Sequence, residues 1–117
     1  MEEIKSPQEY REGVACYLGH CYLAAHDYIR AEEKLADALR LGGLPNSLDC
    51  RAHCELGITY YNLRDYAKAK AEFEKSAQVA VPSFIKEWEI WKWLELTCRA
   101  LGLRAEAEQY ARMVNPS

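Results

Sequence analysis

The chain has 117 residues, with 15 Lys and Arg against 18 Asp and Glu and a net charge of −3. That balance, with no cluster of basic residues, excludes the electrostatic footprint of a nucleic-acid binder. Half the residues are hydrophobic, Gly and Pro number only 6 and 4, and helix formers dominate, so a folded helical protein is expected.

No apolar run approaches the ~20 residues of a membrane span. The opening MEEIKSPQEY is acidic and polar, unlike a secretory signal or a transit peptide. The count of 5 cysteines is odd, and nothing points to an oxidising compartment. Free thiols in a reducing cytoplasm are therefore the expectation.

In chain order, apolar spacing predicts helices over residues 7–25 and 28–41, then 47–62 and 65–80, then 83–101 and 104–114. The fourth of these follows directly on LGITYYNLRDYAKA (56–69), where Gly57 sits inside a helical pattern. Glycine there costs roughly 1 kcal/mol relative to alanine, so it marks a close backbone approach.

The glycine recurs. LGHCYLAAHDYIRAEEKLADAL (18–39) aligns with LGITYYNLRDYAKAKAEFEKSA (56–77) at an offset of 38 residues. Leu18 falls on Leu56, Gly19 on Gly57, Tyr22 on Tyr60, Asp27 on Asp65, Ala31 on Ala69 and Leu35 on Phe73. One further step places Leu94, Cys98 and Ala107 in register, although Glu95 replaces the glycine and Leu103 the aspartate. Each unit reads as two antiparallel helices. Gly19 and Gly57 are expected to meet Ala31 and Ala69, and Asp27 and Asp65 stand where N-caps belong. Leu101-Gly102 supplies the third break.

This pattern resembles the tetratricopeptide repeat (TPR) family. The resemblance rests on a large residue early in the first helix, Leu-Gly, a Tyr three later, Ala in the second helix, and Leu or Phe four further on. Pro45, Pro82 and Pro116 follow the three second helices, as in the family. The period of 38 exceeds the family's usual ~34. The resemblance implies an all-α fold, with antiparallel helix pairs stacked as a right-handed α-solenoid. It further implies one domain over 1–117, with units at about 9–43, 47–81 and 84–114.

Family members commonly bind peptides or helices on the concave surface lined by each unit's first helix. Carried over, the groove positions are Cys16, His20 and Leu23, then Arg51, Cys54, Ile58, Tyr61 and Asn62, then Glu89, Lys92, Leu96 and Arg99. That is an apolar strip with cationic groups at one end, suited to a segment with hydrophobic anchors and some acid. Tyr61, Lys92 and Arg99 are the expected energetic core of the surface. The carboxylate clamp of chaperone-binding relatives is missing, because Cys16, His20 and Glu55 occupy its places. The resemblance thus implies a non-catalytic adaptor or scaffold with a protein or peptide partner, no cofactor, no nucleic acid and no membrane.

Two rival chemistries are weighed against this. Cys16 and His20 are four apart, as are Cys50 and Cys54, which could assemble a Cys₃His zinc or redox site. The short Cys-x₂-Cys turns typical of such sites are missing, and buried cysteine serves as a small hydrophobe. Neither a glycine-rich phosphate loop nor a Gly-x-Ser-x-Gly or His-Glu-x-x-His motif is present, so no enzyme is expected.

The last unit differs from its siblings. Tyr110 stands where the earlier units have Lys34 and Glu72, and Met113 where they have Asp37 and Lys75. With Ile90, Trp93 and Leu94 they define an apolar C-terminal face, expected to be covered in a homodimer or by a partner's helix. A self-assembling scaffold is the third reading that follows.

Overall fold

The computed structural model describes residues 7–114, with side chains from Gly13 onward. Pro116 and the opening six residues lie outside them. Seven helices run in order: α1 (Pro7–Ala24), α2 (Tyr28–Leu41), α3 (Asn46–Asn62), α4 (Tyr66–Val79), α5 (Pro82–Glu87), α6 (Ile90–Ala100) and α7 (Arg104–Val114). Helices pack with their neighbours in sequence, α1 on α2, α3 on α4 and α6 on α7, and each pair rests on the next. This all-helical arrangement is that of a helical solenoid, with extents of 51 × 29 × 21 Å.

The three turns within pairs are built alike. His26, Arg64 and Gly102, each 38 residues apart, take left-handed backbone conformations at φ 61°, 65° and 78°. The next residue's N–H then reaches back over the last helical turn. Asp27 N–H donates to the Tyr22 carbonyl at 2.8 Å, Asp65 N–H to Tyr60 at 2.9 Å, and Leu103 N–H to Cys98 at 2.8 Å. This closes otherwise orphaned carbonyls at each helix end. Asp27 and Asp65 go on to cap the following helix, accepting from the N–H of Arg30 and of Lys68, each at 3.3 Å. Leu103 has no carboxylate, and the third turn uses glycine at the left-handed position instead.

Both repeated glycines are sites of close approach. A Cβ on Gly19 would lie 2.6 Å from Leu35 Cγ, and one on Gly57 would lie 2.8 Å from two ring atoms of Phe73. The expected partners Ala31 and Ala69 are fully buried, but they are not the nearest atoms. The facing residues lie one helical turn further on, at repeat-equivalent places. Large side chains thus lie over a missing one, and the helices close without a gap. Phe73 joins Cys54, Ala69, Ile90 and Leu94 in a core cluster linking the second and third units.

The helix expected over 83–101 is broken in two. Glu89 adopts a left-handed conformation at φ 54° between α5 and α6. Trp88, which stands where the second unit has Cys50, accounts for the break. Cys50 is buried, and its carbonyl accepts the Ser76 hydroxyl of α4 at 2.7 Å. A tryptophan cannot fill that small slot. It turns out instead, stacks on Phe84 at 5.3 Å, and the chain restarts as α6.

Candidate functional site

The first helices of the units lie side by side, α1 touching α3 and α3 touching α6. Their common register places His20, Ile58 and Leu96 at equivalent positions across the three, and Leu23, Tyr61 and Arg99 in a parallel row. Ile58 and Tyr61 are half-buried against the core cluster. Leu96 and Arg99 are exposed, and Arg99 pairs with Glu95 at 3.0 Å.

Between α1 and α3 lies a buried carboxylate. Glu55 is 3% exposed. One of its oxygens is 2.7 Å from His20 Nδ1, and the other accepts from Arg51 Nε at 2.9 Å. Two partners on two oxygens offset the desolvation that an isolated buried charge would suffer. The Arg51 guanidinium also lies over the Trp88 ring at 5.7 Å, an attraction between cation and ring face. His20, Glu55, Arg51 and Trp88 therefore tie together residues of all three units. A small cleft of about 140 Å³ opens here, with Cys16 and Tyr17 on its walls.

The predicted groove residues separate by depth. Cys16, His20, Leu23, Arg51, Ile58 and Tyr61 are half-buried, and Asn62, Glu89, Lys92, Leu96 and Arg99 are exposed. Cys54 is fully enclosed in the core cluster and offers no surface. Tyr61 sits in edge contact with Tyr66 at 5.2 Å and with Trp93 at 5.4 Å, so much of its ring supports packing. Asn62 closes the end of α3, its amide donating to the Ile58 carbonyl at 2.8 Å.

The C-terminal set is divided likewise. Ile90 and Leu94 are fully buried within the chain. Trp93 stacks on Phe73 at 5.6 Å, and Tyr110 stacks on Trp91 at 5.7 Å. Met113 is exposed. Helical spacing alone put these five on one face. The packing of α6 between α4 and α7 turns Ile90 and Leu94 inward.

No disulfide joins the five cysteines. Burial pushes the Cys54 thiol up to about 12, helped by the nearby Glu55 carboxylate, and burial raises Cys50 and Cys98 as well. Protonated thiols are poor nucleophiles and poor metal ligands. Among the described residues, no group of three or more His, Cys, Asp and Glu side chains could hold a metal ion.

Other polar links strengthen the pairs. His53 Nδ1 is 2.7 Å from Glu72 Oε2, and the Tyr60 hydroxyl donates to Glu32 at 3.1 Å. Sequence reasoning treated Glu55 only as a charge hostile to an acidic ligand and did not pair it with His20 or Arg51. The i,i+4 spacing of Arg51 and Glu55 was the available signal. The contact of Arg51 with Trp88 had none.

A family model, the tetratricopeptide repeat, matches residues 50–80. With the seven-helix fold, the match is consistent with a TPR-type repeat protein. It spans α3 and α4 with the tight Gly57–Phe73 contact. The same turn geometry and spacing carry the TPR pattern into α1–α2 and, with the break at Glu89, into α5–α7. No curated protein matches the chain. TPR repeats support a protein-interaction module in general, and among the described residues no helix is long and apolar enough to cross a membrane.

Proposed function

We propose that the chain is a non-catalytic adaptor whose three helix pairs act as one domain and hold a peptide or helix on the face lined by α1, α3 and α6. The observation carrying this reading is the equivalent placement of His20, Ile58 and Leu96 on three adjoining helices. A surface with one register repeated across parallel elements suits a linear ligand, because each unit meets a successive stretch of it. Half-buried Ile58 and exposed Leu96 provide apolar contact, and Arg99 provides a charge at the rim. The protonated state of the buried thiols supports packing over redox or metal chemistry at Cys50 and Cys54.

The test uses a partner captured on immobilised wild-type protein from native extract. A Leu96→Glu, Arg99→Glu variant changes two exposed side chains, so its helical circular dichroism should match that of wild type. Loss of the partner with helicity intact is the expected result. Undiminished capture would remove this face from the reading. Tyr61 is unsuited to the test, because truncating it would disturb Tyr66 and Trp93.

A further inference from the structure

The break between α5 and α6 opens a cleft of about 750 Å³ between these helices and the end of α7. Ile85, Trp91 and Met113 give it apolar walls, and Lys86, Glu89 and Lys92 stand among them. The same place in the second unit is shut. There Ser76 holds the end of α4 against Cys50 of α3 by its 2.7 Å hydrogen bond. In the third unit the equivalents are Val114 and Trp88, which cannot form that bond, and Val114 is 36% exposed where Ser76 is fully buried. Lys92 likewise stands where the second unit has Cys54, which is buried among Ile90 and Leu94 of the following unit.

Two features bear on what enters the cleft. First, among the described residues Lys86 and Lys92 form no ion pair, whereas Lys68, Lys70 and Lys75 of the second unit each pair with a carboxylate within 3.7 Å. The cleft therefore presents two uncompensated cations against one carboxylate, Glu89. Second, Glu89 is held in a left-handed conformation costly to a non-glycine residue, the kind of backbone strain that gathers at ligand-binding places.

We infer that this cleft docks an acidic amphipathic segment of another protein, with its apolar side chains on Ile85, Trp91 and Met113 and its carboxylates on Lys86 and Lys92. The inference rests on the reading of the chain as an interaction module, and it names a second contact place and the ligand chemistry that place takes. Apolar burial would supply affinity, and the two lysines would select acidic segments over basic ones.

A random twelve-residue peptide library is selected on wild-type protein and on a Lys86→Glu, Lys92→Glu variant of unchanged helicity. Wild type should enrich peptides that combine Leu, Phe or Trp with Asp and Glu, and the variant should not. The strongest selected peptide is then synthesised and titrated by tryptophan fluorescence, with Trp91 as the reporter. Its binding should weaken roughly tenfold or more in the double-lysine variant, corresponding to about 1.4 kcal/mol. A Met113→Asp variant should weaken it comparably, and added salt should weaken it in wild type.

Selection of basic or charge-free peptides, or equal binding by the double-lysine variant, would overturn the inference. So would a dimer at high concentration that the lysine reversal dissolves, because a second copy would then be the occupant. Loss of the peptide only in the Leu96→Glu, Arg99→Glu variant would overturn the cleft and leave the adaptor reading standing. Loss in the lysine variant alone upholds the cleft, whatever becomes of the other face.

Discussion

The second and third units follow one plan, yet one is closed and the other is split. In the second, α3 runs unbroken for 17 residues, Gly57 admits Phe73, and Ser76 seals the far end on Cys50. In the third, the equivalents are Glu95, Val114 and Trp88, and the first helix becomes α5 and α6 with a strained residue between them. The contrast shows that a repeat needs small residues at two separate places. Glycine lets the helix middles meet, and Cys50 with Ser76 lets the helix ends meet. With neither, the third unit still packs, but only along α6 and α7.

The largest test of this contrast is Gly57→Leu. Overpacking a dense interior costs about 1–3 kcal/mol, and a Cβ alone already meets Phe73 at 2.8 Å. The thermal midpoint should fall by several degrees, at about 4 °C per kcal/mol for a chain of this size. Glu95→Ala, at the same place in the third unit, removes only the pair with Arg99 and should cost about 0.5 kcal/mol. Equal effects at the two positions would break the comparison.

Alkali probes the closed unit through its buried acids. Burial pushes the Cys54 thiol from 9.0 up to about 12, and burial with Glu32 beside it pushes the Tyr60 hydroxyl from 10.0 up to about 12. The folded chain keeps these protons to higher pH than the unfolded chain does. Stability is therefore full below about pH 9 and falls as pH rises toward 12. Urea midpoints measured across that window should decline in wild type and decline less in Cys54→Ala. In the third unit Cys98 is also raised by burial, but the Lys70 ammonium opposes the shift, so Cys98→Ala should flatten the curve less.

Backbone strain gives a third test, with opposite signs at two places. Gly102→Ala puts a side chain into a left-handed conformation and should cost about 1–2 kcal/mol. Glu89→Gly relieves the same strain at the break and should stabilise by roughly 1 kcal/mol. A neutral Glu89→Gly would mean that the split of α5 from α6 carries no strain.

Ser76→Ala is the next smaller effect. It deletes the hydroxyl that seals the second unit and should lower the urea midpoint by about 1 kcal/mol of stability, while Val114→Ser in the open unit should change little. Smallest of all is Gly13→Ala. Nothing lies within 4 Å of a Cβ there, so loss of unfolded-chain freedom should give a gain of at most about 1 kcal/mol.

Much of the fold was legible because a repeat is its own control. Register at 38 residues identified Gly19 and Gly57 as close-approach points and Asp27 and Asp65 as caps, all local features with a chemical signature. The candidate site was less legible. Helical spacing places Cys16 and Cys54 at equivalent points and groups Ile90 and Leu94 with Tyr110 and Met113. It does not say which points a neighbouring unit covers.

Sequence by itself therefore determined the helix pairs, the turns that join them and the period that stacks them. These depend on contacts within about one turn or one repeat, and each has a residue type that only that geometry tolerates. The tertiary structure alone decided the burial of Glu55 between His20 and Arg51, the inward turn of Ile90 and Leu94, and the break at Glu89. Each of these depends on whether a side chain from another unit arrives at a given point and how much space it leaves. Trp88 in place of Cys50 is an unremarkable change within a helix, until the slot it must occupy is found to be closed by Ser76 in its sibling and open beside Val114.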